Sequence, residues 1–438
     1  MAYGAVKLGA GRTGIRYGWH DRFKIPLDHP SALRFYLDNL FVPHSRREML
    51  WAAVARASAR AGRAALPLLG VAAADRLKGK GAAPAGGQGA ATDALVESLG
   101  ARLKEAGLAP VGAASAITLD DYRHSEREKM VVFLFGRGER APSVVAKVSG
   151  SAEHAAALAR EHEALRALHA RLGEELRATL PAPLATVEEG GLKAFAEGYV
   201  PGRSMYFEMR NAWLPRRRAD LHFRLARRWL ERFQKETTSD ESALGAGRIR
   251  EVIARPLKEY QRACSPSNDE KRFVAEVLRK AHALRGERVP VVARQGDFWA
   301  RNLMVKGDAL AVLDWENYAE AADPFSDLFL FTTSYGLSYP WRVGRWAEPA
   351  VAFRATYLRG GWMSRLVRRH LFGYCASMGL SRKLLEVFFP AFLAGRALEE
   401  RARGRQTGSR KHSAGGGGTW ETLFREYART GGGACFGS

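Results

Sequence analysis

Cysteine is scarce in this chain: Cys264, Cys375 and Cys435 are the only three in 438 residues. So few, so far apart, they provide neither a disulfide framework nor a cysteine zinc site, and a reducing cytoplasm is the default expectation. There is no run of about 18 apolar residues, so no segment is expected to span a bilayer. The opening MAYGAVKLGAGRTGIRYGWH has no continuous apolar signal core. Acidic residues are also short, 46 against 68 Lys and Arg, for a net charge of +22. The rest of the composition, 46% hydrophobic and 26% charged, excludes wholesale disorder, collagen-like repeats and a membrane bundle. At about 100–200 residues per domain, the length allows two or three domains.

The charge is unevenly spread. Residues 1–80 carry 14 basic and 5 acidic side chains, and residues 341–412 carry 15 and 4. Such blocks suit an anionic membrane surface, nucleic acid or an acidic substrate, or else an Arg-rich solvated face. From Ser45, apolar residues and Arg alternate at helical spacing, which suits a helix packed on the body or lying on a membrane. From Lys78, KGKGAAPAGGQGAATD reads as a flexible linker. The expected division is a basic N-terminal appendage over 1–77, a linker over 78–93, a sheet-bearing lobe over 94–198 and a helical lobe over 199–438.

Periodicity supplies the elements. A helix is expected over 94–106 and a longer one over 152–172. Strands are expected over 130–135, 143–148, 184–187 and 192–195, the last two flanking Gly190-Gly191. This order suits a small antiparallel sheet with one helix packed on it. Beyond Gly202 the pattern turns helical, over 218–235, 269–284, 349–357, 362–375, 382–403 and 420–429. A β-type patch over 303–315 interrupts it.

That patch belongs to GDFWARNLMVKGDALAVLDWE, from Gly296. Asp297 and Asn302 lie in a loop ahead of one short strand, and Asp314 ends the next, so a hairpin can make the three converge. Two carboxylates and an amide oxygen are hard ligands suited to Mg²⁺ beside phosphates, with one Asp left to accept a proton. Three linked stretches occur in order: Gln295-Gly296-Asp297 followed by Asn302, then Leu313-Asp314-Trp315-Glu316, then Asp323-Pro324-Phe325-Ser326-Asp327-Leu328. Together they resemble the aminoglycoside phosphotransferase/choline kinase family, with its H-G-D-x-x-x-x-N loop, strand-end Asp and D-P-x-x-D-L segment. The resemblance covers roughly residues 110–400. It implies an α+β, two-lobed, protein-kinase-like fold behind the basic appendage. It makes Asp297 the catalytic base and Asn302 and Asp314 the metal ligands, and it has Asp327 cap the next helix and brace the loop. Gln295 stands where the family usually has His; like His, it can donate and accept hydrogen bonds.

The upstream half agrees with this resemblance. Lys147 lies inside the apolar run Val144 to Val148, where a buried Lys is costly unless paired. Glu161 on the following helix matches the family's Lys-orienting Glu through its spacing to Leu165 and Leu168, with Glu163 the neighbouring candidate. The stretch Phe195 to Gly202, including Glu197 and Tyr199, resembles the hinge that pairs with adenine. No glycine-rich phosphate loop precedes Met130; Ser125 or a nearby backbone amide could touch phosphate. Arg301, a second candidate catalytic residue, either pairs within the loop, with Asp297 or an acidic neighbour, or steadies the base or neutralises transferred phosphate.

The expected activity is ATP- and Mg²⁺-dependent phosphorylation of a hydroxyl on a small molecule or glycan. The arginines of the C-terminal region, Arg342, Arg345, Arg354, Arg359, Arg365, Arg368, Arg369 and Arg382, argue against a polycationic acceptor. They favour a neutral or anionic sugar, glycan or lipid headgroup. The alternative is a nucleotide-binding, pseudokinase-like protein that presents its basic faces to a membrane or nucleic acid. A protein kinase fits less well, because Asp323-Pro324 follows Asp314 too closely for a long activation segment. The expected location is cytoplasmic, with peripheral contact to an anionic membrane through the appendage; nucleic acid is not an expected partner.

Overall fold

A computed structural model describes residues 9–10, 16–20, 23–26, 35, 86–105, 115–120, 129–136, 139–211, 214–240, 243–340, 347–406, 418–432 and 436. The chain divides into two units, Met1–Gly202 and Arg203–Ser438.

The first unit is built on an antiparallel sheet. Its strands are β1 (Gly9–Ala10), β2 (Arg16–His20), β3 (Phe23–Pro26), β4 (Ser115–Asp120), β5 (Lys129–Phe135), β6 (Val144–Ser149), β7 (Pro183–Glu189) and β8 (Leu192–Gly198). They lie in the order β1-β2-β3-β4-β5-β6-β8-β7. Helix α1 (Gly86–Glu105) precedes β4, and α2 (Ala152–Arg171) follows β6. Side chains alternate across a strand, and β6 uses both faces. Val144, Ala146 and Val148 join Leu95, Leu99 and Leu103 of α1 in one buried cluster. Lys147, from the opposite face, meets Glu161 of α2. The Ser151 hydroxyl starts α2 by accepting from the His154 N–H.

Three features differ from the sequence reading. The sheet has a helix on each face instead of one, because the apolar stripe at 95, 99 and 103 needs a surface to cover. Helix α1 begins at Gly86, inside the stretch expected as linker; a segment poor in large side chains but rich in Ala is also a good helix former. Residues of the expected appendage supply β1–β3, and β3 pairs with β4, whose edge would otherwise lack hydrogen-bond partners. The expected helix after Ser45 lies outside the described residues.

The second unit is mainly helical. It contains β9 (Arg203–Ser204), α3 (Met205–Asn211), α4 (Pro215–Thr237), α5 (Arg255–Ala263), α6 (Asn268–Ala283), β10 (Val292–Arg294), β11 (Leu303–Lys306), β12 (Ala309–Val312), β13 (Ala319–Ala322), α7 (Ser326–Ser338), α8 (Trp362–Met378), α9 (Leu385–Gln406) and α10 (Thr419–Arg429). Strands β11 and β12 form the expected hairpin, with Leu303 opposite Val312. Its flanks are anchored by aromatics. Trp229 of α4 stacks on Phe233 at 4.9 Å and on Phe298 at 5.5 Å, and Phe233 meets Trp315 edge-on at 5.5 Å. Helix α7 was not among the expected helices. Leu328, Phe329, Leu330 and Phe331 are all buried there, so it lacks the polar stripe that makes a helix legible. Among the described residues, no helix is long and apolar enough to cross a membrane.

Candidate active site

The loop between β10 and β11 carries Asp297, and neighbouring groups hold it on several sides. The Asn302 amide donates to the Asp297 main-chain oxygen at 3.0 Å and to its Oδ2 at 2.9 Å. Trp299 Nε1 donates to the same Oδ2 at 3.1 Å. The Asp297 N–H donates to Gln295 Oε1 at 2.8 Å. Gly296 adopts φ +87°, and a Cβ there would stand 2.2 Å from the Asn317 carbonyl oxygen. Both the left-handed backbone and the close approach therefore require glycine.

Gln295 is fully buried and links this loop to the second strand. Its Nε2 donates to the carbonyl of Leu313 at 3.1 Å and to that of Asp314. Its own N–H and that of Gly296 donate to the Asp327 carboxylate at 2.7 and 2.9 Å. Gln295 thus both donates and accepts hydrogen bonds, as its amide was expected to. Asp327 braces the loop as expected, but the helix cap belongs to Asp323. The Asp323 carboxylate accepts from the N–H groups of Phe325 at 2.9 Å and Ser326 at 3.0 Å, because it sits ahead of the helix while Asp327 lies within it.

Asp314 closes the arrangement. It has φ +63°, unusual for a residue with a side chain, and the Leu313 N–H donates to the Asn302 carbonyl at 2.8 Å. Asp314 Oδ1 is buried without a hydrogen-bond partner, a costly state for a carboxylate oxygen. Burial raises the Asp297 carboxyl above its ordinary range, and the charge of Asp314 adds to this; Asn302, Arg396 and Trp299 pull the other way. Two carboxylates in mutual repulsion and an orphaned oxygen suit a hard cation. Magnesium takes one or two carboxylates and fills its other positions with water and phosphate, so Asp314 and the Asn302 amide oxygen fit it. Among the described residues, no group of three or more His, Cys, Asp or Glu could hold a metal.

Arg301 is exposed. Its guanidinium lies over the Tyr206 ring at 4.6 Å and the Trp299 ring at 5.2 Å. Among the described residues it makes no ion pair, so neither the expected pairing within the loop nor a contact with Asp297 is present. Cation–π stacking accounts for its position.

The first unit holds the other expected group. Lys147 Nζ lies 2.5 Å from Glu161 Oε1 and 3.3 Å from Glu197 Oε1, and the three side chains are 12%, 3% and 9% exposed. Glu163 is exposed, so Glu161 is the helix partner. Glu197 was read as part of a hinge, but the alternation of β8 turns its carboxylate to Lys147. Tyr199 donates its N–H to the Ser143 carbonyl at 3.0 Å and sets its ring edge-on to Phe35 at 5.6 Å. Burial raises its phenol. Ser125 lies outside the described residues. The sequence reading missed the Trp299 hydrogen bond, the Glu197 ion pair and the field of Arg396 on Asp297. The two-residue spacing of Trp299 from Asp297 was the only local signal; Arg396 is 99 positions away and had none.

The chain matches the profile of the phosphotransferase enzyme family (APH) over residues 127–366. No curated protein matches it. Among solved structures it is similar to a glucosamine kinase, at 16% identity over 74% of this chain and 78% of that one, with a TM-score of 0.43. It is also similar to a thermostable mutant of aminoglycoside phosphotransferase APH(4)-Ia in complex with AMP-PNP and hygromycin B. That match has 14% identity, covers 75% and 98% of the two chains and has a TM-score of 0.44. A third, aminoglycoside phosphotransferase APH(3'')-Id from Streptomyces rimosus, is 17% identical over 70% and 97%, with a TM-score of 0.38.

Proposed function

Because the chain belongs to the phosphotransferase enzyme family, we propose that it transfers the γ-phosphoryl group of ATP to a hydroxyl of a neutral or anionic small molecule: a sugar, glycan or lipid headgroup. The observation that carries this reading is the Asp297 carboxylate, fixed by Asn302 and Trp299, beside an Asp314 oxygen that is buried and unpartnered. Asp297 orients the acceptor hydroxyl and takes its proton. Asn302 and Asp314 would hold Mg²⁺, which when bound offsets charge on the phosphates. Lys147, oriented by Glu161, would meet the donor's α/β-phosphates. Positioning and electrostatics supply most of the rate enhancement in such chemistry.

The charge of the C-terminal region supports a neutral or anionic acceptor. Some of its arginines have carboxylate partners: Arg354 lies 2.6 Å from Glu426, and Arg369 pairs with Asp220. Among the described residues Arg359, Arg365 and Arg382 show no ion pair, and the excess of positive charge disfavours a polycation. Arg342 and Arg345 lie outside the described residues.

The test is ATP turnover by the purified full chain against aminoglycosides, choline, neutral sugars and sugar acids, with and without Mg²⁺, at low and high salt. Mg²⁺-dependent turnover on a neutral or anionic acceptor, lost in Asp297→Asn, is the expected result. Efficient, salt-independent phosphorylation of an aminoglycoside would overturn the acceptor class. Metal-independent nucleotide binding without turnover on any acceptor would favour a binding protein.

A further inference from the structure

We propose that the groove between α4 and α8 is a binding site for a phosphate monoester group. Arg216 and Asp220 line it from α4, and Trp362, Arg365, Leu366 and Arg369 from α8; it encloses about 370 Å³. Three arginines thus line one concave surface with a single carboxylate among them.

What sets this groove apart from an ordinary solvated face is that three arginines from two helices line one concave surface holding a single carboxylate. Elsewhere on α4, Arg218 lies 3.1 Å from Glu208 and Arg227 lies 3.1 Å from Glu231, while Arg217, Arg224 and Arg228 show no ion pair among the described residues and do not line the groove. Arg369 consumes the groove's one carboxylate, Asp220. Arg216 and Arg365 have no ion-pair partner among the described residues. Arg216 rests over the Trp362 ring at 5.5 Å, and Arg365 reaches back to the Gly360 carbonyl at 2.8 Å. Cations facing each other across a groove repel unless an anion lies between them. A guanidinium fork matches the geometry of phosphate oxygens, while Trp362 and Leu366 provide an apolar wall for the organic part of an ester.

The positive field extends along the seam. His370, next to Arg369, is buried, and neither ring nitrogen has a hydrogen-bond partner. Burial pushes its imidazole down to about 4, with Arg227, Arg369 and Arg224 adding to the effect against Asp220. None of the groove residues belongs to the Asp297 or Lys147 arrangements, so this inference does not rest on the proposed activity.

The test compares the full wild-type chain with Arg216→Gln, Arg365→Gln and, as a control of equal charge change, Arg228→Gln on the exposed side of α4. Calorimetry with glycerol 3-phosphate probes a free ester. Co-sedimentation with phosphatidylcholine vesicles containing phosphatidic acid probes a lipid headgroup. Thermal midpoints confirm that the variants are folded. Saturable binding of at least one probe is expected, weakened about tenfold or more in each groove variant and less than twofold in Arg228→Gln. Binding confined to glycerol 3-phosphate identifies a soluble ester, and binding confined to vesicles identifies the headgroup. Absence of saturable binding to both probes would overturn the proposal. So would equal weakening in Arg228→Gln, which would reduce the effect to net charge.

Discussion

Asn302 points its amide nitrogen at Asp297, donating to both the main-chain oxygen and Oδ2 at 3.0 and 2.9 Å. One side chain five residues downstream therefore sets the backbone and the carboxylate of the proposed base together. Asp297→Asn is expected to reduce phosphoryl transfer by about 10²–10⁴-fold, the usual cost of losing a positioned base, while nucleotide binding persists. Retention of more than about a tenth of wild-type kcat would remove Asp297 from that role. Asp314→Ala should act differently, abolishing the Mg²⁺ dependence of nucleotide binding measured by calorimetry.

Lys147 is enclosed by Glu161 and Glu197. Lys147→Ala is expected to raise KM for ATP or lower kcat. It also leaves two buried carboxylates without their cation, a change that typically costs about 3–5 kcal/mol, readable in urea unfolding. Glu161→Gln should reproduce part of the kinetic effect. Glu163→Ala, at an exposed position, should be silent; a larger effect at 163 than at 161 would contradict the register.

Gly296→Ala combines a left-handed backbone with a collision at the Asn317 carbonyl. Strain of this kind costs on the order of 1–3 kcal/mol, and relief requires the loop to move Asp297. The expected outcome is a lowered unfolding midpoint together with a kcat loss out of proportion to it. Gly307→Ala, a turn glycine with open space around its Cβ position, serves as the control and should leave kcat unchanged.

Burial raises the Asp327 carboxyl to about 6, against about 4 for an unfolded aspartate. Between those values the unfolded state has lost the proton and the folded state retains it. The contribution of this group to stability is therefore full below about 4 and declines as pH rises towards 6. Unfolding free energies of wild type and Asp327→Asn, measured from pH 4 to 7, should differ by a pH-dependent amount that levels off above 6. A constant difference would show that the carboxyl titrates normally.

The sequence alone named the candidate site residues and determined much of the local structure. Asp297, Asn302 and Asp314 were legible because their spacing on a loop and hairpin leaves few ways to fold, and β11 and β12 lie where that spacing requires. Lys147 was legible because a charge inside an apolar strand is costly unless paired and because the downstream motifs matched the same family. Tertiary structure decided what depends on faces and distance. It chose Glu161 over Glu163 and turned Glu197 onto Lys147. It placed Arg301 on aromatic rings, and it gave the helix cap to Asp323 while Asp327 held the loop. Periodicity reports which side of an element is apolar, but not which element will cover it. For this reason α1 could be read as partly linker until Leu95, Leu99 and Leu103 joined the buried cluster of the sheet, and α7, buried on nearly all sides, showed no stripe to read.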